Sequence, residues 1–174
     1  MNECEGDIEM SVTQVHQDPQ ARTLTLTAEF DAAPDRVWQV WADPRQLERW
    51  WGPPTYPATI VDHDLTPGGR VGYFMTGPEG DRMHGWWRVL SVDPPQGLRF
   101  EDGFADEAGN ADLDRPTMAV EVILEDNGRS GTRMQLRSVF PSQEAMDELL
   151  AMGMEEGICA AVGQIDDILV VARL

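Results

Sequence analysis

Hydrophobic and polar positions alternate along most of this chain, and the period of that alternation changes at a few marked places. From Thr23 to Phe30, Leu24, Leu26, Ala28 and Phe30 alternate with Thr25, Thr27 and Glu29, as in a half-buried strand. Pro34 then opens a helical stretch in which Val37, Trp38, Val40 and Trp41 follow helical spacing. Asp43-Pro44 starts a second short helix carrying Leu47, Trp50 and Trp51. Period two returns over Ala58 to Leu65, over Val71, Tyr73 and Met75, and over Met83 to Val92. It continues through Leu98, Phe100 and Phe104, through Met118, Val120, Val122 and Leu124, and through Met134, Leu136, Ser138 and Phe140. Turn signals divide these runs: Pro67-Gly68-Gly69, Gly77 to Asp81, Asp93-Pro94-Pro95 and Asn127-Gly128. Residues 105–116 are polar and form a loop long enough to act as a lid.

Ser142 caps a further helix with Met146, Leu149 and Leu150 on its apolar side, and Gly153 breaks it from the final helical stretch. Beyond that break two stripes run side by side. Met154, Ile158, Val162, Ile165, Leu169 and Ala172 make an apolar helical face, and Gly153, Gly157, Ala160, Ala161 and Gly163 make a stripe of small residues. An interior helical glycine costs about 1 kcal/mol relative to alanine. The small stripe therefore implies close approach to the backbone, either by the sheet or by a ligand lying between helix and sheet. One strand, two short helices, six strands in hairpin succession and a terminal helix define an α+β fold. Its expected form is a seven-stranded curved antiparallel sheet wrapped around a long C-terminal helix, with two short helices after the first strand. Residues 1–20 read as a flexible acidic arm, and residues 21–174 as one domain.

Charge narrows the partners. The chain has 31 acidic and 13 basic side chains, every basic one arginine, for a net charge of −18. Such a surface repels phosphate backbones and anionic lipid, so neither nucleic acid nor membrane is expected as a partner. No apolar run reaches the ~18 residues that crossing a bilayer requires. The first residues lack the basic and apolar regions of a signal peptide, which makes the cytoplasm the expected compartment. Cys4 and Cys159 make no disulfide framework or zinc site, and Cys159 is expected as a buried, inert thiol.

The arrangement resembles a known family. Phe30 to Pro53 (FDAAPDRVWQVWADPRQLERWWGP), Asp64 to Arg70 (DLTPGGR), Val92 to Phe104 (VDPPQGLRFEDGF) and Gly153 to Leu169 (GMEEGICAAVGQIDDIL) are similar, in this order, to the activator of heat shock protein 90 ATPase homologue group. That group falls in the START-like, birch-pollen-allergen-like helix-grip superfamily. The resemblance covers about residues 22–172 and implies a seven-stranded sheet gripping the terminal helix, with a cavity between them. The family pattern often has arginine where Thr66 stands. The extra chaperone-binding domain of the eukaryotic activators is not expected within these 174 residues, so the resemblance implies chaperone activation only weakly.

On that scaffold the expected ligand is a small, largely hydrophobic molecule. The wall is expected from Trp51, Tyr73, Met75, His84, Trp86, Phe100, Phe104, Met118, Met134, Met154 and Ile158. Flexible methionines suit such a wall. Only one of Trp86 and Trp87 can face inward from a strand; the parity of His84 and Leu90 favours Trp86, that of Val89 favours Trp87, and Trp86 is taken. An alternative is a cyclase- or hydrolase-type enzyme using His84 with Glu155 or Glu156, and another is a stress-response or chaperone-cofactor module. No cofactor is expected. Asp62-His63-Asp64 lacks a third ligand on one face, so no metal is expected either. A sheet edge or an exposed tryptophan would serve a homodimer.

Overall fold

The computed structural model describes residues 11–171. The strands are β1 Val12–Asp18, β2 Thr23–Phe30, β3 Ala58–His63, β4 Arg70–Thr76, β5 Arg82–Asp93, β6 Gly97–Ala105, β7 Met118–Asp126 and β8 Thr132–Val139. The helices are α1 Pro34–Ala42, α2 Pro44–Trp50, α3 Gln143–Ala151, α4 Met154–Val162 and α5 Ile165–Val171. All strands join one antiparallel sheet in the order β1-β2-β8-β7-β6-β5-β4-β3.

Two features differ from the sequence expectation. The sheet has eight strands, because residues assigned to the arm form β1 against β2. Its register shifts between Val12 and Gln14, and such an irregularity breaks the period of two. Val12 and Val15 therefore both pack on the core although they are an odd number of positions, three, apart. The terminal helix is also not continuous. Gly153, at φ 88°, occupies the left-handed region and separates α3 from α4, as expected, but a second turn at Gly163 and Gln164 separates α4 from α5. Gln164 explains that turn: its Nε2 donates to the Gly52 carbonyl at 2.7 Å, tying the chain to the end of α2.

Local chemistry sets the other ends. Pro34 stands in the first turn of α1, the Asp43 carboxylate accepts from the Arg45 N–H at 2.9 Å to start α2, and Ser142 Oγ accepts from the Ala145 N–H at 3.0 Å to start α3.

The sheet's inner face carries Leu26 and Ala28 of β2, Trp87 and Val89 of β5, Leu98 and Phe100 of β6, Val120 and Val122 of β7 and Met134 and Leu136 of β8. These pack with α1, α2, α4 and α5. Leu24, Phe140, Met146 and Leu149 form a second, smaller buried cluster beneath α3. The cores are joined through partly accessible side chains, and Val15 and Met118 touch both. Cys159 is buried and disulfide-bonded, which corrects the free thiol expected from sequence; the other cysteine, Cys4, lies outside the described residues.

Candidate functional site

Strand register decides which expected wall residues share a face. Tyr73 lies opposite Gly85, Trp87 opposite Asp102, and Gly85 opposite Phe104. Tyr73, Trp87, Asp102 and Phe104 therefore share the inner face, since partners across a ladder point the same way. A side chain at residue 85 would run into the Tyr73 ring, so glycine there lets the phenol lie down across β5.

The same register turns Trp86 and His84 outward, which corrects the sequence expectation for both. Trp86 lies between Gly72 and Gly103 on the outer face, packs over Gly103 and donates Nε1–H to the Phe104 carbonyl at 2.8 Å. His84 lies beside the Phe74 ring, at 5.5 Å between centroids. Phe100 and Met134 do face inward but retain no accessible surface, so they are packed core rather than wall. Tyr73, Met75, Phe104, Met118, Met154 and Ile158 are all half-buried against one or other cluster, and Trp51 is 7% exposed.

The expected acid–base set is not assembled. Glu155 is buried and accepts from Gln17 Nε2 of β1 at 2.7 Å, whereas β5 with His84 lies towards the opposite side of the sheet. Glu156 is exposed. His63 Nε2 is 3.1 Å from the Trp41 carbonyl oxygen, and among the described residues no three His, Cys, Asp or Glu side chains gather as a metal site.

A polar pair missed from sequence lies among the wall residues. Tyr73 Oη donates to Asp102 Oδ1 at 2.8 Å. Both side chains are half-buried. Desolvation pushes the Asp102 carboxyl up to about 7, with the Tyr73 hydrogen bond acting the other way. Desolvation, followed by the Asp102 charge, pushes the Tyr73 phenol well above its ordinary value. The Trp51 ring meets Tyr73 edge-on at 6.1 Å and Trp87 at 4.8 Å, and Trp87 stacks on Phe100 at 3.9 Å. The indole N–H groups of Trp41, Trp51 and Trp87 are buried without an acceptor. The Trp51 N–H lies near enough to the Tyr73 oxygen to favour its phenolate slightly, but without hydrogen-bond geometry.

On α4, Gly157 leaves room. A methyl group placed on Gly157 would meet no neighbouring atom within 4 Å. By helical spacing Gly157 shares a stripe with Ala161 of the same helix. The small stripe is thus not explained at Gly157 by close packing. Gly157→Ala is expected to stabilise the fold by about 0.5–1 kcal/mol, the helical cost of glycine, with nothing to displace. Urea denaturation checks this, and a destabilised variant would mean that the space is already filled. The 105–116 loop is held against β6: the Arg115 guanidinium lies 3.6 Å over the Phe104 ring, and Asp106 Oδ1 accepts from the N–H groups of Ala108 and Asn110 at 2.9 Å each.

This geometry is a helix-grip architecture: a curved antiparallel sheet with helices across its inner face. The family described as "Activator of Hsp90 ATPase homolog 1-like protein" matches over residues 31–170, and the chain belongs to it. It is 49% identical to the crystal structure of protein Ms6760 from Mycobacterium smegmatis, with a TM-score of 0.84, covering 91% of this chain and 96% of that one. It is 46% identical to a solution structure of a protein from Arthrobacter aurescens, with a TM-score of 0.87, covering 91% and 92%. The crystal structure of an AHSA1 protein from Silicibacter pomeroyi is 25% identical, with a TM-score of 0.69, covering 86% and 99%. The comparison with curated proteins finds no match. Among the described residues no helix is long and apolar enough to cross a membrane.

Proposed function

We propose that this domain binds a small, largely apolar molecule in the space between the inner face of the sheet and α4. The open side of Gly157 on α4, together with the half-buried apolar side chains packed against the two buried clusters, is the observation that carries this reading. Tyr73, Met75, Phe104, Met118, Met154 and Ile158 would form the wall, with Trp51 at its edge. Moving apolar ligand surface out of water supplies about 25 cal/mol per Å2. The methionines can adapt to differing shapes because the thioether side chain is unbranched and flexible. The loop at 105–116, held over Phe104 by Arg115, would control access.

The test is to fill the space from the helix. Met154→Trp is expected to abolish binding of an apolar fluorescent probe while leaving the circular dichroism spectrum unchanged. A folded Met154→Trp protein that takes up the probe as well as the parent would remove this site.

A further inference from the structure

This inference rests on the hollow proposed above and asks what chemistry its ligand carries. The rings beside Tyr73 and Asp102 carry donors: Trp51 meets Tyr73 edge-on and Trp87 lies opposite Asp102. The Trp87 N–H has no acceptor, and the Trp51 N–H, though near the Tyr73 oxygen, has none in hydrogen-bond geometry, in rings that are 0% and 7% exposed. A buried N–H without a partner is costly, and few persist in folded proteins. Tyr73 spends its own proton on Asp102 Oδ1, leaving Oδ2 of that carboxyl for another partner.

We propose that Tyr73, Asp102 and Trp51 form a seat for one uncharged carbonyl oxygen, a ketone or ester, on an otherwise apolar ligand. The oxygen accepts from the Trp51 N–H and from a proton on Asp102 Oδ2, while Tyr73 holds the carboxyl in place through Oδ1. Since desolvation holds Asp102 near 7, that proton is present in neutral and mildly acidic solution. An anionic ligand would meet Asp102 as a like charge. An ammonium ligand would keep Asp102 ionised and leave the Trp51 N–H without an acceptor.

The proposal carries a pH dependence. Tyr73 of β4 is the titratable side chain that meets Asp102 among the described residues. The residues facing Asp102 across β5 and β7 are Trp87 and Met118, and Glu155 of α4 is engaged with Gln17 of β1. Above pH 7 Asp102 loses the proton it would donate.

Three size-matched probes test this by calorimetric titration of the full chain: 2-acetylnaphthalene, 2-ethylnaphthalene and 1-(2-naphthyl)ethylamine. At pH 5.5 the ketone is expected to bind about tenfold more tightly than the hydrocarbon, as one buried hydrogen bond supplies. At pH 8.5 that preference should shrink to less than about threefold, because the Asp102 donor is lost. Asp102→Asn, which donates at every pH, should keep the preference at both. Asp102→Leu should bind the hydrocarbon but no longer prefer the ketone. Equal affinity for ketone and hydrocarbon at pH 5.5, or an ammonium probe that binds tightest, would overturn the carbonyl seat while leaving the hollow intact. If none of the three binds, the hollow itself is lost, and the seat with it.

Discussion

Asp102→Asn is expected to melt about 4–8 °C above the parent protein at pH 8, and the two should converge near pH 4. Folded, Asp102 gives up its proton at about 7; an unconstrained aspartate does so near 3.8. Between those values the folded chain holds a proton that the unfolded chain has lost, so stability from this group falls as pH rises through the window and levels off above it. A fully shielded carboxyl would cost about 4 kcal/mol over that range. Because Asp102 keeps accessible surface, solvent screening reduces the expected difference to about 2 kcal/mol. Asparagine still accepts from Tyr73 through its amide oxygen and carries no charge to desolvate. Thermal melts of both proteins from pH 4 to pH 9 read the effect. Parallel profiles would mean that Asp102 ionises as easily folded as unfolded, and the account of a shielded pair would fail.

The adjacent tryptophans of β5 should differ sharply. Trp87→Ala is expected to cost about 3–5 kcal/mol, as deletion of a fully buried large aromatic does. Trp87 has no accessible surface, stacks on Phe100 at 3.9 Å, and meets Trp51 at 4.8 Å and Trp41 at 6.0 Å. Trp86→Ala should cost only about 1 kcal/mol, mainly its hydrogen bond to the Phe104 carbonyl and partial burial on the outer face. Guanidinium denaturation of the two single variants gives the comparison directly. If Trp86→Ala were the more damaging, β5 would be turned over and Asp102, one strand away in register, would face outward with it.

Much of this architecture could be read from residue order. Thr23–Phe30 forms a strand at the bounds its alternation predicts, because apolar and polar residues take turns without interruption. Asp43, Ser142 and Gly153 punctuate the helices where short polar side chains and glycine satisfy or release the backbone. β1 was hidden because its bulge removed the period of two. Asp102 was visible in principle: Leu98, Phe100, Asp102 and Phe104 occupy alternate positions of one strand, and an acid within an apolar alternation marks a buried carboxyl. Nothing local could identify its partner, since Tyr73 is separated from it by a whole strand.

The parity of Trp86 and Trp87 was beyond sequence alone, because β5 carries apolar residues on both faces: Trp86 and Leu90 on one, Trp87 and Val89 on the other. Register with β4 and β6 settled it, by placing Gly85 beneath the Tyr73 ring and Gly103 beneath Trp86. The linear pattern determined most of the elements and their antiparallel succession, since these depend on periodicity and turn chemistry within a few residues, and four motifs in order carried the resemblance to the family. Only the tertiary structure decided which side of each strand faces α4, where open space remains above Gly157, and that one carboxyl shares a phenol's proton in a desolvated place. Those outcomes arise from contacts between distant strands, and a strand turned by one residue would reverse them all.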